Sequence, residues 1–144
     1  MSCYDIDQGV LMTDELDDAD YRALAGLRFE LRRFLGFSEQ AAMAAGLTPQ
    51  QHQALLAIRA AEHSRLLVGE LAERLLLKPH STSELVRRLE NQGMVARRPG
   101  ERDRRRVHIV LTPRAHEILS SLSLSHRAEL RRLGPLLRQL LEAF

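Results

Sequence analysis

Between residues 79 and 111 the hydrophobic period changes once, and that change limits the folds open to the chain. From Pro79 to about Gln92 the inward positions Thr82, Leu85, Val86 and Leu89 recur at helical spacing, and the opposite side carries His80, Ser81, Ser83, Glu84, Arg87 and Arg88. Pro79 suits a first helical position, where its missing N–H would have no partner in any case. Gly93 supplies the left-handed residue that closes such a helix. Beyond it the pattern alternates: residues 94–98 read as one strand and residues 106–111 as its partner. Pro99-Gly100-Glu101-Arg102-Asp103-Arg104-Arg105 forms a charged turn between them, so a hairpin is the economical reading.

The flanking segments read as helices. Residues 1–17 show no helical stripe and form a tail or irregular arm, whereas residues 18–45 are amphipathic, with Leu24, Leu27, Leu31, Phe34 and Leu35 at helical spacing. Gly46 is a stop signal. Thr48-Pro49-Gln50-Gln51 then offers an N-cap, a proline at the first position and a Gln that can close a capping box. The helix it opens reaches about Ala60, with Leu55, Leu56 and Ile58 expected inward. A polar link through Arg65 and an apolar patch, Leu66-Leu67-Val68, precede a short helix over residues 69–76 that should bury Leu71, Ala72 and Leu75. Leu77-Lys78 is the turn into the Pro79 helix. Thr112-Pro113 restarts a helix through Ile118, Leu119 and Leu122, and a leucine-rich segment (Leu130, Leu133, Leu136, Leu137, Leu140, Leu141) runs to Phe144. Gly134-Pro135 interrupts that segment, so a kink or a break into two helices is expected. No internal repeat or low-complexity linker is visible.

Composition narrows the function classes. A chain of 144 residues suits one domain with a real core, and a single Cys excludes an internal disulfide framework and any multi-Cys metal site. No apolar run approaches the ~20 residues of a membrane span. The acidic N-terminus is no secretory signal. These features set the expectation of a soluble cytoplasmic protein without membrane contact. The formal charge is only +2, but residues 1–20 hold seven acids and no base, leaving all 21 basic residues to the rest of the chain. Eight arginines fall between Arg87 and Arg106 against Glu90, Glu101 and Asp103. Such an excess fits a polyanion partner, and equally a solvated face or a genome rich in arginine codons. Cys3 has no basic neighbour to activate its thiol. The six histidines (His52, His63, His80, His108, His116, His126) form no metal-binding spacing. There is no Gly-rich phosphate loop, nucleophile elbow or acid pair. The expectation is therefore a non-enzyme with no catalytic residue, metal or cofactor.

Helix, tight turn, second helix and a hairpin with a basic tip is the order of a winged helix-turn-helix: a mainly α fold with a small β-hairpin wing. The residues make the likeness specific. Val68-Gly69-Glu70-Leu71-Ala72-Glu73-Arg74-Leu75, followed by Leu85-Val86-Arg87-Arg88-Leu89-Glu90-Asn91-Gln92-Gly93-Met94-Val95, resembles the MarR family of transcriptional regulators. Asp103-Arg104-Arg105, with Leu111-Thr112 eight positions after the Asp, matches that family's D-x-R…LT wing pattern. Together with Leu47-Thr48-Pro49-Gln50-Gln51 and the opening helix, the likeness covers residues 18–144.

The resemblance implies dimerisation helices over about 18–45 and 113–144, a DNA-binding lobe over about 48–112, and an acidic arm over 1–17. It also implies a homodimeric regulator of the repressor type that reads a palindromic duplex, with many members released by a small aromatic or anionic effector. On this chain the recognition helix starts near Pro79. His80, Ser81, Ser83, Glu84 and Arg87 become groove contacts, with Lys78 and Arg88 beside them. Arg105 matches the family's minor-groove arginine and Asp103 the acid that shapes its surroundings, while Arg97, Arg98, Arg102 and Arg104 fall to phosphates. Lys78 departs from the usual Ser at the N-cap, and Ala115 from the glycine after the LT pair. Arg28, Arg32, His52 and Arg59 are the effector-pocket candidates, with surface ion pairing as their alternative. Two other functions fit the same residues: a winged-helix module for an acidic protein partner, and a constitutive DNA-binding regulator with no effector.

Overall fold

Local hydrogen bonds fix where each helix begins and ends. In the computed structural model, which describes residues 15–144, the elements are α1 (Asp18–Ala44), α2 (Pro49–Ala60), β1 (Arg65–Leu67), α3 (Val68–Leu75), α4 (Pro79–Asn91), β2 (Val95–Pro99), β3 (Val107–Leu111) and α5 (Pro113–Leu141). Cys3 and most of the acidic arm lie outside the described residues. Thr48 Oγ1 accepts from the Gln51 N–H at 3.2 Å while Gln51 Oε1 accepts from the Thr48 N–H at 3.0 Å, the capping box legible in the sequence. Lys78 makes no side-chain cap, and α4 starts on Pro79. Thr82 Oγ1 donates to the Lys78 carbonyl at 3.0 Å, occupying an oxygen next to that unusual start. Gly93, at φ +72°, ends α4 with the Met94 N–H on the Leu89 carbonyl (2.9 Å) and its own N–H on Glu90 (3.0 Å).

The wing is part of a three-stranded antiparallel sheet in the order β1-β3-β2. Leu66, read from sequence only as part of an apolar patch, pairs with Ile109, and Ile109 also faces Arg97 across β2. Pairing on both sides places Ile109 at the sheet centre, fully buried with Leu55, Ile58, Leu66, Leu71, Val86 and Leu89 in one core. The strands lie about one residue from the expected bounds: Pro99 still pairs with Val107, while Arg106 belongs to the turn. Thr112 joins the sheet to the helices, donating to the Gly93 carbonyl at 2.6 Å and accepting from the Ala115 N–H at 3.2 Å.

Two expectations change. Leu56 is 47% exposed rather than inward. Successive helical residues lie about 100° apart, so Leu55 and Leu56 cannot both face one core. Much of the α1 stripe (Leu24, Leu31, Leu35) and of the α5 leucines (Leu130, Leu136, Leu141), for which the sequence left core and partner-facing roles both open, is exposed, although Leu133 is buried. Of the kink or break expected at Gly134-Pro135, the break does not occur, since α5 is one helix through Pro135. Proline costs the ladder one bond and crowds the preceding residue, and Gly134 has no Cβ to be crowded.

Helices α1 and α5 run against each other. Gly26 admits Leu140, whose Cδ2 would stand 3.0 Å from any Cβ placed there. Further along, His126 of α5 bonds through Nδ1 to the Leu122 carbonyl (2.7 Å) and through Nε2 to Ser38 Oγ of α1 (2.8 Å). Its ring packs edge-on to Phe34 and Phe37, and its centroid lies 5.0 Å from that of His52 on α2. Burial, with a smaller repulsion from His126, holds the His52 imidazole below its ordinary basicity.

Two stability predictions follow from these details. The unfolded chain protonates His52 near the ordinary pKa of about 6.5 while the folded chain resists, so this contribution is full above that pH and is lost as pH falls below it. Urea titrations at pH 7.5 and 5.5 should show wild-type losing stability at the lower pH and His52→Gln losing less; equal losses would refute the assignment. Leu76 is 92% exposed and left-handed (φ 55°) in the α3–α4 turn. An L side chain there costs roughly 1–2 kcal/mol and glycine does not, so Leu76→Gly should stabilise the fold by about 1 kcal/mol in chemical denaturation.

Candidate nucleic-acid interface

A tight turn sets α4 against α3. The Leu77 N–H reaches the Ala72 carbonyl at 3.0 Å and the Leu76 N–H reaches Glu73 at 3.2 Å, while Leu76 takes the left-handed conformation. Thr82, Leu85, Val86 and Leu89 then lock one side of α4 into the core. This leaves Lys78, His80, Ser81, Ser83, Arg87 and Arg88 exposed and Glu84 half-buried. A helix held along one side with short polar groups on the other can enter a major groove and present donors and acceptors to base edges.

Not every polar group on that side is free. Arg87 Nη2 donates to Glu84 Oε2 at 2.7 Å, and this bond, with the guanidinium charge, holds the Glu84 carboxyl below the usual carboxylate range. Glu84 and Arg87 therefore act as a pair. His80, Ser81, Glu84 and Arg88 also share a cleft of about 530 Å³ with Thr48, Gln50 and Gln51 at the start of α2. That neighbourhood is invisible in the sequence, because it depends on how α2 crosses α4.

The wing separates its arginines by role. Arg97 Nε donates to Glu90 Oε1 at 3.3 Å, tying β2 back to α4. The turn is built around Asp103. Its Oδ1 accepts from the Arg105 N–H at 3.0 Å, its carbonyl accepts from the Arg106 N–H at 3.1 Å, and the Gly100 N–H returns to the Arg106 carbonyl at 2.9 Å. Gly100 is required here, since a Cβ would lie 2.6 Å from the Asp103 carbonyl oxygen. Arg98, Arg102, Arg104 and Arg105 are exposed, and among the described residues none has a carboxylate within ion-pair distance. Beside this turn a cleft of about 340 Å³ is lined by Arg65, Gly100, Glu101, Arg102, Asp103, Arg106 and His108. Arg65, Arg106 and His108 were absent from the sequence-derived site, and only the β1–β3 pairing brings Arg65 there.

The four effector-pocket candidates lie apart. His52 is buried in the α1–α2–α5 junction, and Arg28 and Arg32 are exposed on α1. Arg59 lines a cleft of about 450 Å³ with Leu56, His116, Leu119, Ser120 and Ser123, without the other three. Among the described residues no three His, Cys, Asp or Glu side chains are grouped to hold a metal ion, and no helix is long and apolar enough to cross a membrane.

Comparison with known proteins places this geometry among relatives. Residues 45–106 match the model of the MarR family. The HTH-type transcriptional repressor MdtR of Bacillus subtilis (strain 168) is 36% identical over 67 residues, which are 46% of this chain and 42% of that protein, so the match spans less than half of either. AbsC, a MarR family transcriptional regulator from Streptomyces coelicolor, superposes with a TM-score of 0.67 at 27% identity over 83% of this chain and 81% of its own. A MepR variant from S. aureus, solved bound to an oligodeoxyribonucleotide, shares the fold with a TM-score of 0.67 at 21% identity over 84% of each chain.

Proposed function

We propose that the chain is a MarR family repressor that binds a palindromic duplex as a homodimer, a reading supported by the match of residues 45–106 to that family's model and by the likeness to AbsC. The observation that carries the reading is the wing: Arg98, Arg102, Arg104 and Arg105 stand on a rigid hydrogen-bonded turn with no carboxylate partner among the described residues. Unneutralised guanidiniums on an ordered loop suit phosphate oxygens and a narrow minor groove. In this reading α4 enters the major groove with His80, Ser81, Ser83 and the Glu84–Arg87 pair at base edges. Lys78 and Arg88 flank it, and Arg105 probes the adjacent minor groove.

The exposed leucines of α1 and α5 support the dimer. Leu24, Leu31, Leu35, Leu130, Leu136 and Leu141 are apolar surface that a second copy would cover. The proposal divides the chain accordingly, into a lobe over residues 48–112 and dimerisation helices on either side of it. Two-fold symmetry then asks for half-sites about one turn, ~10 bp, apart. The proposed location is the cytoplasm. A small aromatic or anionic effector acting near Arg59 or the α1–α2–α5 junction would release the duplex.

Selection of duplexes from a random pool, followed by a salt titration, tests the reading: a palindrome with a steep salt slope is expected, and a folded dimer that enriches nothing would refute it. On the selected site Arg105→Ala should cost ~1–3 kcal/mol and relax specificity at an A·T-rich flank, whereas unchanged affinity at fixed salt removes Arg105 from the groove. Arg98→Ala should weaken all sequences nearly equally and lower the salt slope by about one unit per bound copy. An unmoved slope would take Arg98 off the phosphates.

A further inference from the structure

We propose that the cleft at the root of the wing seats a backbone phosphate of the duplex outside the stretch read by α4 and Arg105, with Arg65 and Arg106 as its main ligands. The inference rests on the DNA-binding reading above and extends the contact surface to β1, a segment that reading leaves out.

Strand register builds the site. Arg65 lies opposite Val110 and Leu67 opposite His108 on β3, and Arg98 lies opposite His108 from β2. Leu66, Ile109 and Leu111 are buried on the core side of the sheet. Side chains alternate along a strand, so Arg65, His108 and Arg98 project from the other side. Arg102 and Arg106 reach the same cleft from the wing turn. Three separate segments thus deliver three guanidiniums and an imidazole to one concavity.

Those charges are not cancelled internally. Among the described residues Arg65, Arg102 and Arg106 have no carboxylate within 4.0 Å, although Glu101 and Asp103 line the same cleft. Asp103 is committed to the turn through its bond from the Arg105 N–H. Cations held close together without a counter-charge favour an oxyanion, and the guanidinium fork matches phosphate oxygens. Placement selects the source of that phosphate. Asp103 and Arg106 flank the turn that carries Arg105, so a duplex that admits Arg105 into a groove runs its backbone past this cleft. Arg65, on the sheet edge, would meet the strand as it leaves the half-site.

The test compares two duplexes bearing the selected palindrome, one ending at the Arg105 contacts and one longer by about six base pairs at each end. Wild-type protein should bind the longer duplex about tenfold tighter, with a salt slope steeper by about two units, one for each copy's phosphate. The variant combining Arg65→Ala with Arg106→Ala, checked for an unchanged melting profile, should keep the short-duplex affinity and lose the gain from extension. Either residue alone should lose part of it, which guards against a double variant that does not fold. Equal binding of both duplexes by wild-type, or a double variant that keeps the gain, overturns the proposal. Failure to bind either duplex overturns the DNA-binding reading and this one with it. If inorganic phosphate at matched ionic strength raises the wild-type melting point but not that of the double variant, and extension adds no affinity, the cleft belongs to a free oxyanion and the backbone assignment is wrong.

Discussion

Thr112 stands where four elements meet, and the geometry of the lobe depends on its hydroxyl. It donates to the carbonyl of Gly93, where α4 has just closed, and accepts from Ala115, where α5 opens. The Thr112 N–H bonds the Met94 carbonyl at the start of β2. Through one residue the end of α4, the root of the hairpin and the start of α5 are fixed against one another. Arg114 adds a guanidinium bond to the Gln92 carbonyl at 3.0 Å. A wing rooted this way cannot move freely relative to α4, so its basic turn and the polar side of that helix can meet a partner as one surface. Fixed geometry matters because ordering those groups at the moment of binding would cost affinity.

Charge is allocated by the same scaffold. Arg87 and Arg97 are spent on Glu84 and Glu90, one within α4 and one between α4 and β2. Both pairs are exposed, so they shape the surface more than they stabilise it. Arg98, Arg102, Arg104 and Arg105 have no such partner among the described residues, and of the two carboxylates in the turn, Glu101 and Asp103, the latter accepts from a backbone N–H. An acidic residue used to fold the loop leaves its arginines available.

Much of the fold was legible because its signals are local. The Thr48–Gln51 box, the Pro79 start and the Gly93 stop are each satisfied within a few residues, and all three occur as read. The hairpin followed from alternation in residues 94–111. β1 did not, since three residues (Arg65–Leu67) are too few to display a period and their partners on β3 lie far along the chain. The leucines of α1 and α5 show the converse. Their helical spacing was plain, but spacing cannot say whether a stripe meets its own chain or is left for another. At the candidate interface the exposed residues of α4 and the wing were nameable in advance. Which arginines were paired, and that Arg65, Arg106 and His108 share a cleft, were not.

The sequence by itself determined the order of elements, the caps that bound them, the faces of α4 and the concentration of arginine around the wing. Periodicity and capping act over one or two turns, and a chain cannot hide them. Tertiary structure decided the third strand, the burial of Leu133 against the exposure of Leu56, the continuity of α5 through Pro135, and the division of arginines into paired and free. Each of these depends on which distant segments come within reach of one another. That is set by how helices and sheet pack around Ile109 and its neighbours, and no local pattern encodes it.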